Sequence, residues 1–211
     1  MNRYLRILPP AFVSCVCAGS ALAALLFPPA AAAALLEFDE YLQRAEAART
    51  RGDWESVANQ FAQAINHPDL PGDGATRSMV NLEYGRALGV ICQFGESEKF
   101  LLRAKDIAEK SAAPMFSVRY ELGALSVAEK KYAEASTYFS QLPPLIAQDM
   151  RARSTPLLVA DAYEKWAVAL AALGRPDEAA ARRAEAGKAR EIRARPLPPG
   201  TVTPYGAQCP K

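Results

Sequence analysis

The single histidine, His67, lies in the segment INHPDLPG, which separates two stretches of helical spacing. A metal site needs several His, Cys, Asp or Glu ligands close together in space, usually at short spacing in the sequence. No second histidine and no cysteine stands near this segment. We therefore predict no metal site, and expect His67 to cap the preceding helix or to lie at the surface.

Phosphate-binding and catalytic signatures are equally weak. Gly72 and Gly74 in LPGDGAT are spaced as in a phosphate loop, but the lysine and the preceding strand are missing. Paired carboxylates such as Asp177 and Glu178 stand at helix starts, where the helix dipole favours negative charge. The motifs G-x-S-x-G, H-E-x-x-H and C-x-x-C do not occur in the sequence. These observations predict no catalytic residue and no cofactor.

The charge balance excludes one class of partner. The 211 residues carry 25 Lys and Arg against 23 Asp and Glu. Arg3 and Arg6 are the only charges before Glu37, so the remaining chain is neutral. Nucleic-acid binding needs a concentrated basic face, and we therefore predict no nucleic-acid partner. The length favours one domain with a tail.

The first 34 residues have the order of a secretory signal. A basic start at Arg3 and Arg6 precedes a long uncharged run, and small residues near Ala30 offer cleavage sites. An uncleaved anchor in the inner membrane, or lipidation at Cys15, is the alternative. Each reading predicts an exported, periplasmic body, with membrane contact only through a retained leader.

Two cysteines remain once the leader and its Cys15 and Cys17 are set aside. Cys92 follows a predicted helix, and Cys209 lies in the tail RPLPPGTVTPYGAQCPK, whose prolines exclude a helix. In an oxidising compartment we expect a Cys92–Cys209 disulfide that ties the tail back to the body. The alternative is a buried thiol at Cys92 and an unpaired Cys209.

Helical apolar spacing runs through the whole body, and no strand pattern interrupts it. Helix breakers divide the body into segments of about 11 to 18 residues, a usual helix length. This predicts eight helices in four pairs. The breakers are Gly52, the segment 67–74, Gly95, Pro114, the LPP at Leu142, Pro156, Gly174 and Pro196.

The four pairs align at their internal turns. The residues just after each turn, Trp54, Phe94, Tyr132 and Pro176, are 40, 38 and 44 positions apart. Self-similarity at such a period is typical of a solenoid, in which each hairpin buries its apolar face against its neighbours.

These pairs resemble tetratricopeptide repeats. The family places a small residue where the two helices of a repeat cross, and Gly85, Gly123, Ala167 and, more weakly, Ala45 match that position. The resemblance implies an all-α, right-handed α-solenoid of about four helix-turn-helix repeats over residues 37–195, followed by a proline-rich extended tail, 196–211. The spacings exceed the family's usual value of about 34 residues. The register of the second repeat stays open by two positions, and residues 143–156 are extra to the pattern.

In this family the first helices of successive repeats line a groove that holds a peptide or a partner helix. The resemblance therefore implies a set of groove residues not used in packing: Leu42, Glu46, Arg49, Leu82, Arg86, Tyr120, Asp161 and Glu164. Arg and Tyr are frequent at interface hot spots. The alternative is that these are ordinary exposed residues.

The sequence thus predicts a non-enzymatic scaffold or adaptor that binds another protein or peptide of the cell envelope through this groove. A second hypothesis is a structural accessory subunit held permanently in an envelope complex, with its groove incidental or filled by the tail. A hydrolase with a concealed site is the third.

Overall fold

The computed structural model describes residues 36–192 and 195–209, with only the backbone of Arg151. The predicted leader, 1–34, lies outside these residues. The described chain is all-helical and is a right-handed α-solenoid of helix-turn-helix repeats. Its helices are α1 (Phe38–Thr50), α2 (Trp54–Ile65), α3 (Gly74–Val90), α4 (Phe94–Ser111), α5 (Phe116–Ala128), α6 (Tyr132–Phe139), α7 (Leu142–Gln148), α8 (Met150–Ser154), α9 (Pro156–Ala172) and α10 (Pro176–Glu191).

Four helix pairs form the repeats: α1 with α2, α3 with α4, α5 with α6, and α9 with α10. The apolar core consists of separate clusters, most of which are shared between neighbouring repeats. One cluster joins the first pair to α3, a second joins α3 and α4 to α5, and a third joins α5 and α6 to the last pair. Each repeat therefore buries its apolar face only against its neighbours, as a solenoid requires.

The turn inside each repeat has the same backbone form. One residue adopts a left-handed conformation: Gly52, Cys92, Lys130 and Gly174, with φ between 61° and 73°. The next amide in each turn donates to the carbonyl five residues earlier, as Asp53 does to Ala48 at 3.0 Å. This bond satisfies an orphan carbonyl at the helix end. The same turn geometry occurs at all four places, which shows that the four repeats are copies of one kind of structural unit.

The second repeat corrects one predicted breaker. Gly95 lies inside α4, and the turn is made three residues earlier, by Cys92 in the left-handed region. Phe94 begins α4 as Trp54 begins α2, which gives the second repeat the register of the first. Glycine is the usual residue at such a turn, but it is not required. Because Gly95 is the next glycine along the chain, the sequence predicted the turn there and not at Cys92.

Small residues stand where the helices of a repeat cross. A Cβ added at Gly85 would lie 2.9 Å from the Leu101 side chain, and one added at Gly123 would lie 2.7 Å from the Phe139 ring. Ala45 and Ala167 are buried at the matching positions. The close approach of the backbones explains the many alanines and glycines of the body, because a larger side chain would hold the helices apart.

Replacing Gly123 with alanine is expected to lower the free energy of unfolding by about 1–3 kcal/mol. The new methyl would lie 2.7–3.0 Å from three atoms of the Phe139 ring, which is fully buried, so the ring or the helix must shift. Gly187 offers a matched control on α10, because a Cβ there meets nothing within 4 Å. There the better helix propensity of alanine should stabilise the protein slightly. Urea unfolding of both variants tests the pair, and equal midpoints would contradict close packing at Gly123.

The extra segment 143–156 is helical and packed. After α6 ends, α7 and α8 follow as two short helices before α9 begins at Pro156. Leu142 and Ala152 are buried in the cluster that joins the third and fourth repeats. The segment that was extra to the repeat pattern thus forms short helices of its own, and it lengthens the last spacing to 44 residues.

Candidate binding groove

The first helices of the repeats share one face, and a cleft of about 620 Å³ lies along it. The apolar part of its lining comes from three of these helices: Met79 and Leu82 on α3, Phe116 on α5, and Leu158 on α9. Helices of the same position in successive repeats are stacked side by side, so their equivalent faces form one continuous surface.

Four of the predicted groove residues line this cleft: Arg49, Leu82, Arg86 and Tyr120. Asp161 lies next to it, because the Tyr120 hydroxyl donates to the Asp161 carboxylate at 2.6 Å. The structure therefore brings five of the eight residues to one surface.

The other three lie outside the cleft lining. Leu42 packs against the core of the first repeat, and Glu46 is exposed and paired with Arg49. Glu164 accepts a hydrogen bond from Arg190 at 2.8 Å, on the side of α9 that meets α10.

The expectation that these residues are not used in packing is wrong for Leu42, which packs against the first core cluster, and for three of the residues at the cleft. Leu82, Arg86 and Tyr120 are 8%, 5% and 1% exposed. Helix spacing identified the face correctly, but it did not show that these side chains are buried by contacts with the rest of the fold. A partner therefore cannot use these side chains without displacing what now covers them.

Arg86 is the centre of a buried charge cluster. Its guanidinium donates to both carboxylate oxygens of Glu83 at 2.8 Å, and its Nε lies 3.0 Å from Glu121 on α5. Burial disfavours the charge on Arg86, but the Glu83 and Glu121 carboxylates outweigh it, and the pKa of Arg86 is raised. The cluster joins the second and third repeats through opposite charges within hydrogen-bond distance.

Glu121 is the member that the sequence reasoning missed. It is 3% exposed, and burial raises the pKa of its carboxyl above the ordinary value, against the opposing influence of Arg86. The available signal was a charged residue placed directly between Tyr120 and Leu122 at the middle of α5, because a buried carboxylate needs a partner. Both of its oxygens accept hydrogen bonds from the tail, one from Thr203 and one from Tyr205, each at 2.9 Å.

A second polar cluster borders the cleft on α5 and α9. Besides Tyr120, the Asp161 carboxylate accepts from Lys165, whose ammonium lies over the Tyr120 ring. Burial, followed by the nearby Glu121 and Asp161 carboxylates, raises the pKa of the Tyr120 hydroxyl. This phenol therefore acts as a hydrogen-bond donor, and it holds α5 to α9.

The tail crosses the first-helix face and fills one part of it. Arg86 donates to the carbonyls of Gly200 at 2.5 Å and Thr201 at 3.1 Å, and to the Thr203 hydroxyl at 2.7 Å. Thr201 also lines the open cleft, so the filled and open parts are continuous. As predicted, the described tail residues, 195–209, contain no helix.

The end of the tail is fastened covalently. Cys209 forms a disulfide with Cys92, at a Cα–Cα distance of 5.4 Å, which confirms the predicted pairing. The preceding residues lie along the end of α3, where the amides of Gly206 and Gln208 donate to the carbonyls of Gly89 and Val90. The groove thus holds a segment of its own chain.

A surface position was one of the two possibilities expected for His67, but the residue is buried. It is 8% exposed, and its Nε2 lies 2.8 Å from the Leu36 carbonyl oxygen. Its Nδ1 accepts from the Asp69 amide at 3.1 Å, while Asn66 is the residue that caps α2. Among the described residues there is no group of three potential metal ligands.

No helix in the described part of the chain is long and apolar enough to cross a membrane. The predicted leader is not among these residues, so the anchor and cleavage alternatives remain predictions.

A stack of helix pairs with one turn geometry, small residues at the crossings and a cleft along the first helices defines a tetratricopeptide-type repeat fold. No protein-family profile matches the sequence, and no curated protein is similar to it. Among solved structures, the crystal structure of MamA is similar, with a TM-score of 0.56 and 15% sequence identity. The match covers 74% of this chain and 79% of MamA, itself a tetratricopeptide-like solenoid. At this identity the likeness shows the fold.

Proposed function

We propose that this protein is a non-enzymatic scaffold or adaptor of the cell envelope. It binds another protein or peptide through the face formed by α1, α3, α5 and α9. The observation that carries this proposal is the open cleft on that face, which has an apolar lining and continues directly into the part that already holds a peptide segment.

The open part of the cleft offers the surface that a partner needs. Met79 is 36% exposed there, and it lies beside Leu82, Phe116 and Leu158. Methionine adapts its shape to irregular partners and is enriched at interfaces. Apolar area that remains accessible at the centre of a polar rim is the usual core of a protein interface.

Two features support the envelope as the compartment. The first 34 residues have the order of an export signal. The Cys92–Cys209 disulfide suits an oxidising environment, since such bonds are rare where cellular thiols are kept reduced.

We expect Met79→Glu to reduce the amount of crosslinked partner at least tenfold. A carboxylate at this position would have to be desolvated against the apolar cleft when a partner binds. Met79 is exposed in the unbound protein, so the fold should tolerate the change. The measurement is capture of the tagged protein from intact cells after crosslinking.

The matched control is Val168→Glu. Val168 is 47% exposed on α9 and does not line the cleft. Loss of a defined envelope protein with Met79→Glu alone supports the adaptor. If the same protein is captured with both variants, the cleft is not its binding site.

One observation favours the second candidate, an accessory subunit held elsewhere on its surface. The tail already occupies part of the groove, and a permanently filled groove needs no external ligand. That function predicts equal capture by both variants, together with a partner that stays bound through purification.

A further inference from the structure

Residues 200–205 contact the groove in the way that a bound peptide would. Arg86 donates to two backbone carbonyls of the tail, and Glu121 accepts from two of its hydroxyls. Both receiving side chains belong to first helices and are buried at the base of the groove. The segment 196–204 contains four prolines, which restrict its backbone and lower the entropy lost when it lies along the groove. It turns after Pro198, whose carbonyl accepts a hydrogen bond from the Thr201 amide at 3.2 Å.

The wall of the groove is shaped for this occupant. A Cβ at Gly89 would overlap the Tyr205 ring, so the ring seats against bare backbone of α3. Gly200 adopts a left-handed φ of 74° and approaches the Arg49 side chain closely. These two glycines mark a fitted contact between the segment and the face it covers.

The occupant is nevertheless held by few buried atoms. Of the described tail residues only Thr203 is buried, while Leu197, Val202 and Tyr205 are partly buried against the helices. Its attachment therefore depends strongly on two covalent tethers, the chain that follows α10 and the Cys92–Cys209 disulfide. Both cysteines are partly exposed, which leaves the disulfide accessible to a thiol.

We propose that residues 198–209 are a removable occupant of the groove, and that the partner is a proline-containing peptide of the same chemistry. Such a peptide offers backbone carbonyls to Arg86 and Thr or Tyr hydroxyls to Glu121, and it binds after the disulfide has been reduced. This inference rests on the proposed function, because it assigns the ligand of the same groove.

The release step needs a dithiol reductant. One thiolate of the dithiol attacks a sulfur of the Cys92–Cys209 bond and forms a mixed disulfide, and its second thiol then displaces the remaining cysteine. Two electrons and two protons pass to the pair, which leaves Cys92 and Cys209 as thiols and the reductant as a disulfide. The tail stays attached through α10 and can return when no partner is present.

A partner can outcompete the tethered tail because it can reach further. From Thr201 the groove continues into the open cleft, whose apolar lining includes the exposed side chain of Met79. The tail leaves this apolar surface uncovered. A longer peptide covers both parts, and the additional burial offsets the advantage of the tethered competitor.

The test uses the full chain and a fluorescent synthetic peptide of residues 198–208, PPGTVTPYGAQ, with fluorescence anisotropy as the readout. The receptor variant carries Thr203→Val, Tyr205→Phe and Cys209→Ser, which remove the hydroxyls and the disulfide of its own tail. We expect this variant to bind the peptide at least tenfold more tightly than the oxidised unmodified chain does. Circular dichroism and a cooperative thermal transition establish that the variant is folded.

Two controls test the assigned contacts. A peptide with valine and phenylalanine at the positions of Thr203 and Tyr205 should bind at least tenfold more weakly, because Glu121 then lacks its donors. Adding Gly89→Ala to the receptor should also weaken binding, because the new methyl occupies the place of the Tyr205 ring. Gly95→Ala, with open space around its Cβ, should leave binding unchanged.

Several outcomes overturn the proposal. Equal binding by oxidised and variant receptors would show that the tail does not block the groove. Equal binding of both peptides would remove Glu121 from recognition, and unfolding of the variant would make the tail a structural staple. Formation of a dimer would assign the groove to a second copy of this chain. Failure here combined with loss of the cellular partner in Met79→Glu would leave the proposed function intact.

Discussion

Arg86→Met is expected to lower the free energy of unfolding by about 3–5 kcal/mol at pH 7, because it leaves the buried Glu121 carboxylate without its cation. Methionine has a similar length and fills the same space, so the loss reports charge more than packing. The negative charge of the partly buried Glu83, which would keep only Arg49 as a partner, would then add to that of Glu121. Urea unfolding of the oxidised protein measures the change.

The cost should depend on pH in a defined direction. Burial already raises the pKa of Glu121 in the folded protein, and loss of Arg86 removes an influence that lowers it. A carboxyl whose pKa is higher in the folded state contributes stability below its unfolded pKa, and that contribution is lost as the pH rises through the folded pKa. The difference between Arg86→Met and the unmodified protein should therefore shrink as the pH falls toward 4.5, the ordinary value for this carboxyl.

A double variant separates this effect from a general defect. Adding Glu121→Gln to Arg86→Met removes one uncompensated charge. The amide oxygen of the glutamine can still accept from one of the two tail hydroxyls while its NH2 group donates to the oxygen of the other, so the double variant should recover part of the loss and flatten the pH dependence. Arg175→Met is the surface control, since its pairing with Glu178 is exposed and should matter little. A cost that is equal at all pH values, or unchanged by Glu121→Gln, would contradict the buried cluster.

Reduction of the disulfide should lower the melting temperature by about 5–15 °C. The Cys92–Cys209 bond closes a separation of 117 residues. On chain-entropy grounds such a closure stabilises the folded state by up to about 5 kcal/mol, and native disulfides typically contribute 2–5 kcal/mol. For a domain of this size, each kcal/mol corresponds to about 2–4 °C. Thermal unfolding with and without a dithiol measures the difference.

The control for this experiment is the double variant Cys92→Ser with Cys209→Ser. It should melt near the temperature of the reduced protein, and its melting temperature should not change when the reductant is added. Serine keeps the side chain at position 92 small, so the left-handed turn there should be preserved. A reductant effect of equal size in both proteins would mean that another process, and not this disulfide, sets the stability.

The fold class could be predicted because its signals are local. Apolar spacing, the residues that follow each turn and the small residues at Gly85 and Gly123 are properties of short stretches, and helix geometry repeats every few residues. The disulfide was predictable by counting, since the body has two cysteines. The turn at Cys92 was predicted at Gly95 instead, because a residue other than glycine in the left-handed conformation has no clear sequence signature.

The candidate site was only half predictable. The resemblance to tetratricopeptide repeats, combined with helix spacing, placed Arg49, Leu82, Arg86 and Tyr120 on the shared face, where the structure has them. Their burial depends on contacts between residues far apart in the sequence. Arg86 and Thr203 are separated by 117 positions, and Glu121 and Tyr205 by 84. His67 became buried for the same reason, through Leu36 and the ring of Tyr41.

By itself the sequence determined a neutral, all-helical stack of four repeats, with one cysteine pair and a tail that cannot be helical. Those properties follow from composition and from short-range backbone preferences. Only the tertiary structure decided that the tail lies across the first helices, and that Glu121 and Arg86 form hydrogen bonds with it at the base of the groove. The stacking of the repeats and the path of the tail determine which polar groups form hydrogen bonds with each other. No local sequence pattern encodes these long-range contacts.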